Sequence, residues 1–283
     1  MSVPPDRSRE IYARTIIALA PDAEEIVFIG GWAHALHLAR VASFHRPVMT
    51  TDIDVTLPVH LPPGERRSFL DCIADAGFVP DPFGGDGESM AFAHEAPDAA
   101  EVTLDLIAAF DDPRTPVPIA GQDGLVVHGY PSQRILLAHT MRITVDASFH
   151  PLLDPPRSIR VPTPGAYALV KGLSSRSRYE NSRGPRRNVK YAKDIVYLLT
   201  MMNEPALATQ VYTELAPLAA AYPEDYTAWR AWLTTVLRDT TMLADVADQY
   251  SEAAGRPRAT VDPTLGIRDR LGAILRDSPR TAP

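Results

Sequence analysis

The chain has one cysteine, Cys72, in 283 residues, which excludes an internal disulfide and a zinc site built on several cysteines. Lysine is nearly as scarce. Only Lys171, Lys190 and Lys193 occur, so 25 of the 28 basic residues are arginine. No uncharged apolar run approaches the ~18 residues that a membrane-spanning helix requires. The first ten residues carry Asp6, Arg7, Arg9 and Glu10 without an apolar stretch behind them, so no secretory signal is expected and a reducing cytoplasm is the expected location. Positive charge is short overall. Set against 35 acidic residues, the net charge of −7 argues against a surface that binds nucleic acid everywhere, though not against a local basic site.

What is present is an ordinary globular composition, 45% hydrophobic and 22% charged, at a length that suits two domains. The 27 prolines, roughly twice the usual share, punctuate the chain. Residues 9–20 have rough helical spacing, and Ile26-Val27-Phe28-Ile29 predicts a buried strand ended by Gly30-Gly31. Trp32, Ala35, Leu36 and Ala39 then form one stripe of a helix over 32–40. From Thr51 to Leu57 apolar and polar residues alternate, with Ile53, Val55 and Leu57 on one face and Asp52, Asp54 and Thr56 on the other. A helix is expected over 63–76, a loop over 80–87, a strand over 101–108, further strands over 124–129 and 139–146, and a short one at 159–161. Beyond Pro164 the periodicity is helical, with helices expected over 165–176, 187–202, 205–221, 224–250 and 264–276 and a disordered tail from Ser278. The expected fold is α+β: a mixed sheet flanked by helices over 1–164, followed by a helical domain over 165–283.

Three features carry chemistry. Glycines where a strand turns into a helix let a ligand approach the backbone, and the unpaired N–H groups of the helix start favour an anion such as a phosphate; Gly30 and Gly31 stand at such a junction. Asp52 and Asp54 project from one strand face although aspartate is a poor strand former, and Asp105 stands alone against the apolar face of Val102, Leu104 and Leu106. On neighbouring strands the three carboxylates would converge. Two carboxylates ~5 Å apart at an effective dielectric of ~20 repel by about 3 kcal/mol, so such a group calls for a cation. Oxygen-only ligands suit Mg²⁺, and a pair of ions would stabilise both the attacking and the leaving oxygen of a phosphoryl or nucleotidyl transfer. Last, the window 171–193 holds all three lysines with Arg176, Arg178, Arg183, Arg186 and Arg187 against the single acid Glu180, which suggests a phosphate-facing segment. The plainer reading of those arginines is a solvated loop between helices.

The order Gly30-Gly31, Thr51-Asp52-Ile53-Asp54-Val55, Asp105 resembles the nucleotidyltransferase superfamily typified by DNA polymerase beta. Lys171-Gly172-Leu173 and Tyr191-Ala192-Lys193-Asp194-Ile195 are similar to the pattern of AbiEii-type nucleotidyltransferases, which include MenT-like toxins that add nucleotides to the tRNA 3′ end. The resemblance covers roughly residues 26–200. It implies an NTP-dependent enzyme with a two-ion Mg²⁺ site on Asp52, Asp54 and Asp105, the last also deprotonating the acceptor hydroxyl. It further implies that Gly30, Gly31, Thr51, Lys171 and Lys193 contact the nucleotide, and that Asp194 orients Lys171 or the nucleotide. The acceptor it implies is tRNA or another RNA, in a toxin role with a possible cognate antitoxin. Twenty residues separate Gly31 from Asp52, more than is common in the family, which predicts an added loop over 41–50 and leaves Thr51 less firmly placed.

Other readings remain open at this level. The Gly30-Gly31-Trp32-Ala33 turn is also similar to that of antibiotic nucleotidyltransferases, and a protein acceptor or a silent RNA- or partner-binding relative fits the same order. Asp194 lies four residues after Lys190, the spacing of a surface ion pair, and Lys171 suits an exposed helix face. His34 and His37 are expected to be ordinary part-buried histidines, Gly84 to Gly87 a plain loop, and Trp229 and Trp232 core residues.

Overall fold

The computed structural model describes residues 5–41, 50–61, 68–81, 91–99, 101–110, 116–181, 190–253 and 263–279. The chain divides into two compact units, one of residues 1–36 and 45–163, the other of 37–44 and 164–283. The architecture is α+β, with a mixed sheet in the first unit and helices in the second. Among the described residues no helix is long and apolar enough to cross a membrane.

In the first unit the strands are β1 (Val27–Ile29), β2 (Asp52–Leu57), β3 (Phe78–Pro80), β4 (Phe92–His94), β5 (Thr103–Ala108), β6 (Pro116–Pro118) and β7 (Val126–Gly129). The sheet runs β1-β2-β5-β4-β3, with β7 beside the C-terminal half of β5 and β6 paired to β7. β2 lies parallel to β5 and antiparallel to β1. Strict alternation explains how β2 sits: Ile53, Val55 and Leu57 are fully buried on one side, while Asp52 and Asp54 are half-buried on the other. Thr56 shares the acidic side but is buried, its hydroxyl donating to Gln133 Oε1 at 2.7 Å. A separate hairpin pairs β8 (Thr140–Val145) with β9 (Arg157–Pro162).

The helices of this unit include α1 (Pro5–Ala18), α3 (Phe69–Asp75) and α4 (Gln133–Ala138), and α2 (Gly30–Val41) begins in it. α1 buries Ile11, Tyr12, Thr15, Ile16 and, just beyond its end, Leu19, the spacing of a single helical face. The helix expected over 63–76 starts later. Ser68 is extended and caps α3, its hydroxyl accepting from Asp71 N while Asp71 accepts from Ser68 N, so the chain enters the helix at Phe69. Ala39 is exposed rather than part of the apolar stripe of α2, whose buried side runs through Trp32, Ala33, Leu36 and His37.

The second unit contains α5 (Pro164–Asn181), α6 (Lys190–Met202), α7 (Pro205–Ala221), α8 (Pro223–Arg238), α9 (Thr240–Ala253) and α10 (Pro263–Asp277). The single helix expected over 224–250 is broken at Asp239, which is extended and whose Oδ1 accepts from Thr241 N and Met242 N at 2.8 and 3.0 Å. A helix-starting cap thus stands where the apolar period alone ran on. α5 is the unit's central element, packed by α6, α7 and α8. Trp229 fits against Gly172, where a Cβ would lie 2.2 Å from the indole, and its Nε1 donates to Ala168 O at 3.1 Å. Trp232 Nε1 donates to Ser175 Oγ, which in turn donates to Tyr191 O. Ser278 and Pro279 are ordered parts of this unit rather than tail: Ser278 is buried, and Pro279 O accepts from the Tyr226 hydroxyl at 2.7 Å. The expected loops over 41–50 and 80–87, the glycines 84–87, and Arg183, Arg186 and Arg187 lie wholly or largely outside the described residues.

Candidate functional site

β1 ends at Ile29, whose register partner on β2 is Asp54. The chain turns into α2 at Gly30 with φ +68°, a conformation that favours glycine. Glycine is required there for a second reason. A Cβ at Gly30 would lie 1.7 Å from Asp54 Oδ2 and 2.6 Å from Asp54 Cγ. The Asp54 carboxylate therefore lies against the bare backbone at the start of α2.

Parallel pairing sets the remaining acids. Asp54 is in register with Asp105 on β5, and Asp52 with Thr103. Register partners on adjacent strands project to the same side, ~4.8 Å apart along the hydrogen-bonding direction. Asp52, Asp54, Thr103 and Asp105 thus share one face, with Asp105 exposed and the other three half-buried. Thr103 Oγ1 donates to Asp52 Oδ1 at 3.3 Å. Asp52 N donates to Thr50 Oγ1 at 3.2 Å, so the hydroxyl that fixes the start of β2 belongs to Thr50, and Thr51 is a half-buried neighbour. Among the described residues, no three Asp, Glu, His or Cys side chains close on a point that would hold a metal ion. The donor set nevertheless fits a hard divalent cation, which takes oxygen ligands and is commonly held by one or two carboxylates together with substrate phosphates. The register pair Asp54 and Asp105, with Asp52 beside them, supplies those carboxylates. His34 and His37 are both buried and, among the described residues, belong to no such group.

Tyr12 of α1 and Trp32 of α2 pack against each other, a pairing for which the sequence offered no signal. Their rings stack at 4.3 Å with 4° between planes, and Phe149 meets both edge-on. Both are fully buried, and neither Tyr12 Oη nor Trp32 Nε1 has a hydrogen-bond partner among the described residues. Burial holds the Tyr12 phenol above its ordinary range, and the Asp54 carboxylate adds to that effect.

The second unit treats its acid differently. Asp194 on α6 is fully buried and is reached by two cations of α5: Lys171 Nζ donates to Oδ1 at 3.0 Å and Arg178 Nη1 to Oδ2 at 2.6 Å. Asp194 is thus no member of a surface ion pair, and Lys171 is largely buried rather than exposed. Lys171 Nζ also lies 5.7 Å from the Tyr167 ring centre and 5.3 Å from that of Tyr197, and Lys193 Nζ lies 5.9 Å from the latter. Arg176 is tied to Glu180 at 2.8 Å. Within the described part of the basic window, then, three cations already face a carboxylate.

These arrangements can be set beside known proteins. A family model described as nucleotidyltransferase matches residues 13–217, most of the chain, including Gly30, Asp52, Asp54, Asp105, Lys171 and Asp194. No curated protein matches the chain. Among solved structures, the chain is similar to an antigenic nucleotidyltransferase-like protein from Paracoccidioides brasiliensis, at 15% identity over 78% of this chain and 92% of that one, with a TM-score of 0.35. A glycine turn beside register-paired acids on a mixed sheet, and a family match running through both units, lead to one conclusion: the chain is an enzyme of the nucleotidyltransferase family.

Proposed function

We propose that this enzyme moves a nucleoside monophosphate from an NTP to a hydroxyl of an RNA, tRNA first among the candidates, as a cytoplasmic toxin of the AbiEii type with a cognate antitoxin. The observation that carries the transfer reading is the Asp54–Asp105 register pair with the Asp54 carboxylate against Gly30, which concentrates negative charge beside a helix start. Asp52, Asp54 and Asp105 would hold Mg²⁺, which when bound would supply the charge neutralisation a triphosphate needs at such a face.

The chain's own residues do the rest. Gly30 and Gly31 open α2, and the positive end of that helix faces the phosphates. Thr103 steadies Asp52 through its hydroxyl. Asp105, the exposed acid, accepts the proton of the acceptor hydroxyl. The hydroxyl oxygen bonds to the α-phosphorus as the bond to the bridging oxygen breaks, and pyrophosphate leaves with the electron pair. In the helical unit, Lys171 and Lys193 are assigned to nucleotide phosphate, with Asp194 holding the Lys171 ammonium in place. The concentration of lysine and arginine in 171–193 supports a polyanionic acceptor over a cationic antibiotic.

The test incubates the protein with each α-labelled NTP and Mg²⁺, in parallel with total tRNA, an aminoglycoside, a lincosamide and a protein extract. Label passing to tRNA, and not with Asp54→Asn, is the expected result. Label passing only to a drug or a protein would replace the RNA acceptor, and label staying on the NTP with folded protein would overturn the transfer. The toxin role is read by growth: induced wild type should arrest cells and Asp54→Asn should not.

A further inference from the structure

Tyr167, Lys171, Ser175 and Arg178 follow one another at helical spacing along one stripe of α5. Lys171 and Arg178 are seven residues apart, about 10.5 Å of helix rise. They reach the same buried carboxylate from its two sides. Ser175, between them, is committed to Trp232 and Tyr191.

Neutralising a buried carboxylate needs one cation, and Lys171 at 3.0 Å, with only 14% of its side chain exposed, suffices. Arg178 is a second one, and 42% of its side chain is exposed. Arg178 therefore presents an accessible guanidinium anchored on a buried acid. Another ammonium lies close by. Lys193 shares the Tyr197 ring with Lys171 and has no carboxylate partner among the described residues. Clustered cations that are fixed in place before any ligand arrives are suited to an anion carrying more than one charge. A guanidinium adds directed donors that an ammonium lacks.

We propose that Arg178 is a phosphate-contacting residue, held ready by the same buried Asp194 that holds Lys171. The proposal rests on the transfer reading only for the source of the phosphate, which is either the triphosphate of the nucleotide or the phosphodiester backbone of the RNA acceptor.

The experiment uses the full chain with Mg²⁺ and measures, at several salt concentrations, the affinity for a non-hydrolysable NTP analogue and for an RNA oligonucleotide. Arg178→Ala is expected to weaken one of them about tenfold, a loss of one charge-assisted contact. A loss in the nucleotide arm assigns Arg178 to the triphosphate. A loss in the RNA arm, with the slope of log affinity against log salt shallower by about 0.7–0.9, assigns it to the backbone. Both affinities within twofold of wild type in folded Arg178→Ala would overturn the proposal. Should the variant not fold, the wild type decides. Modification of Arg178 by phenylglyoxal, read by peptide mass spectrometry, should be suppressed by the analogue or the RNA, and equal modification with and without them overturns the idea. Neither readout needs turnover. A chain that protects Arg178 yet transfers no label would therefore sink the transfer reading alone, and a chain that transfers label with Arg178 indifferent would sink this one alone.

Discussion

Asp54 and Asp194 are the same side chain put to opposite use. Asp194 is fully buried between two cations of its own unit, so its charge is satisfied internally and it serves to fix the positions of Lys171 and Arg178. Asp54 is half-buried, rests against a backbone that lacks a side chain, and faces a second carboxylate across the strand register. Folding stabilises the first arrangement. The second sets two carboxylates side by side on one sheet face, where a bound cation would ease their repulsion. The difference separates the two units: the sheet sets carboxylates side by side on one face, and the helices hold positive charge steady on an internal anion.

The contrast can be broken experimentally. The largest effect is expected at Asp54→Asn: transfer should fall by about 10³-fold, as when a preorganised charge is removed from a reacting site, while the urea midpoint stays at or above that of wild type because repulsion with Asp105 is eased. A midpoint that drops sharply would mean Asp54 is structural after all. Asp194→Asn should do the reverse to stability, costing about 3 kcal/mol because two cations lose their buried counter-charge. Equilibrium unfolding checks this, and an unchanged midpoint would show that the ion trio is idle.

Gly30→Ala should lower transfer by about 10²-fold, the scale on which a misplaced reacting group is penalised. Its Cβ would fall on the Asp54 carboxylate, and φ +68° is itself unfavourable for alanine by about 1–2 kcal/mol. Activity near wild type would place Asp54 elsewhere in the working enzyme. The smallest effect is expected at Tyr12→Phe. The phenol hydroxyl is buried without a partner among the described residues, so its removal should stabilise the fold by about 1 kcal/mol, the low end of the cost of an unsatisfied buried group. A loss of stability, by the same unfolding assay, would reveal that the hydroxyl has a bond to lose.

The acidic strand was legible because a two-residue period is unambiguous: every residue of β2 points where alternation placed it, and only Thr56, drawn in by Gln133, departs in burial. The parallel register with β5 was not legible, since nothing local to either strand specifies its neighbour. Three-residue strands such as β3, β4 and β6 are too short to show a period, and β6 begins and ends in proline. The run from α8 into α9 looked continuous because its apolar spacing barely breaks, yet the cue was present in Asp239-Thr240-Thr241. The ion pair of Arg178 was not legible because its partner sits sixteen residues away on another helix, one position past the basic window. The stack of Tyr12 on Trp32 is tertiary in origin and left no mark on the spacing of either helix.

The notch at Gly172 has a practical consequence. Trp229 and Trp232 both hand their indole N–H to α5, at Ala168 and Ser175, on either side of Lys171 along that helix. The protein thereby carries native fluorophores hydrogen-bonded to the helix that bears Lys171 and Arg178, so the proposed arrival of an anion at Arg178 would be followed as an emission change in unlabelled material.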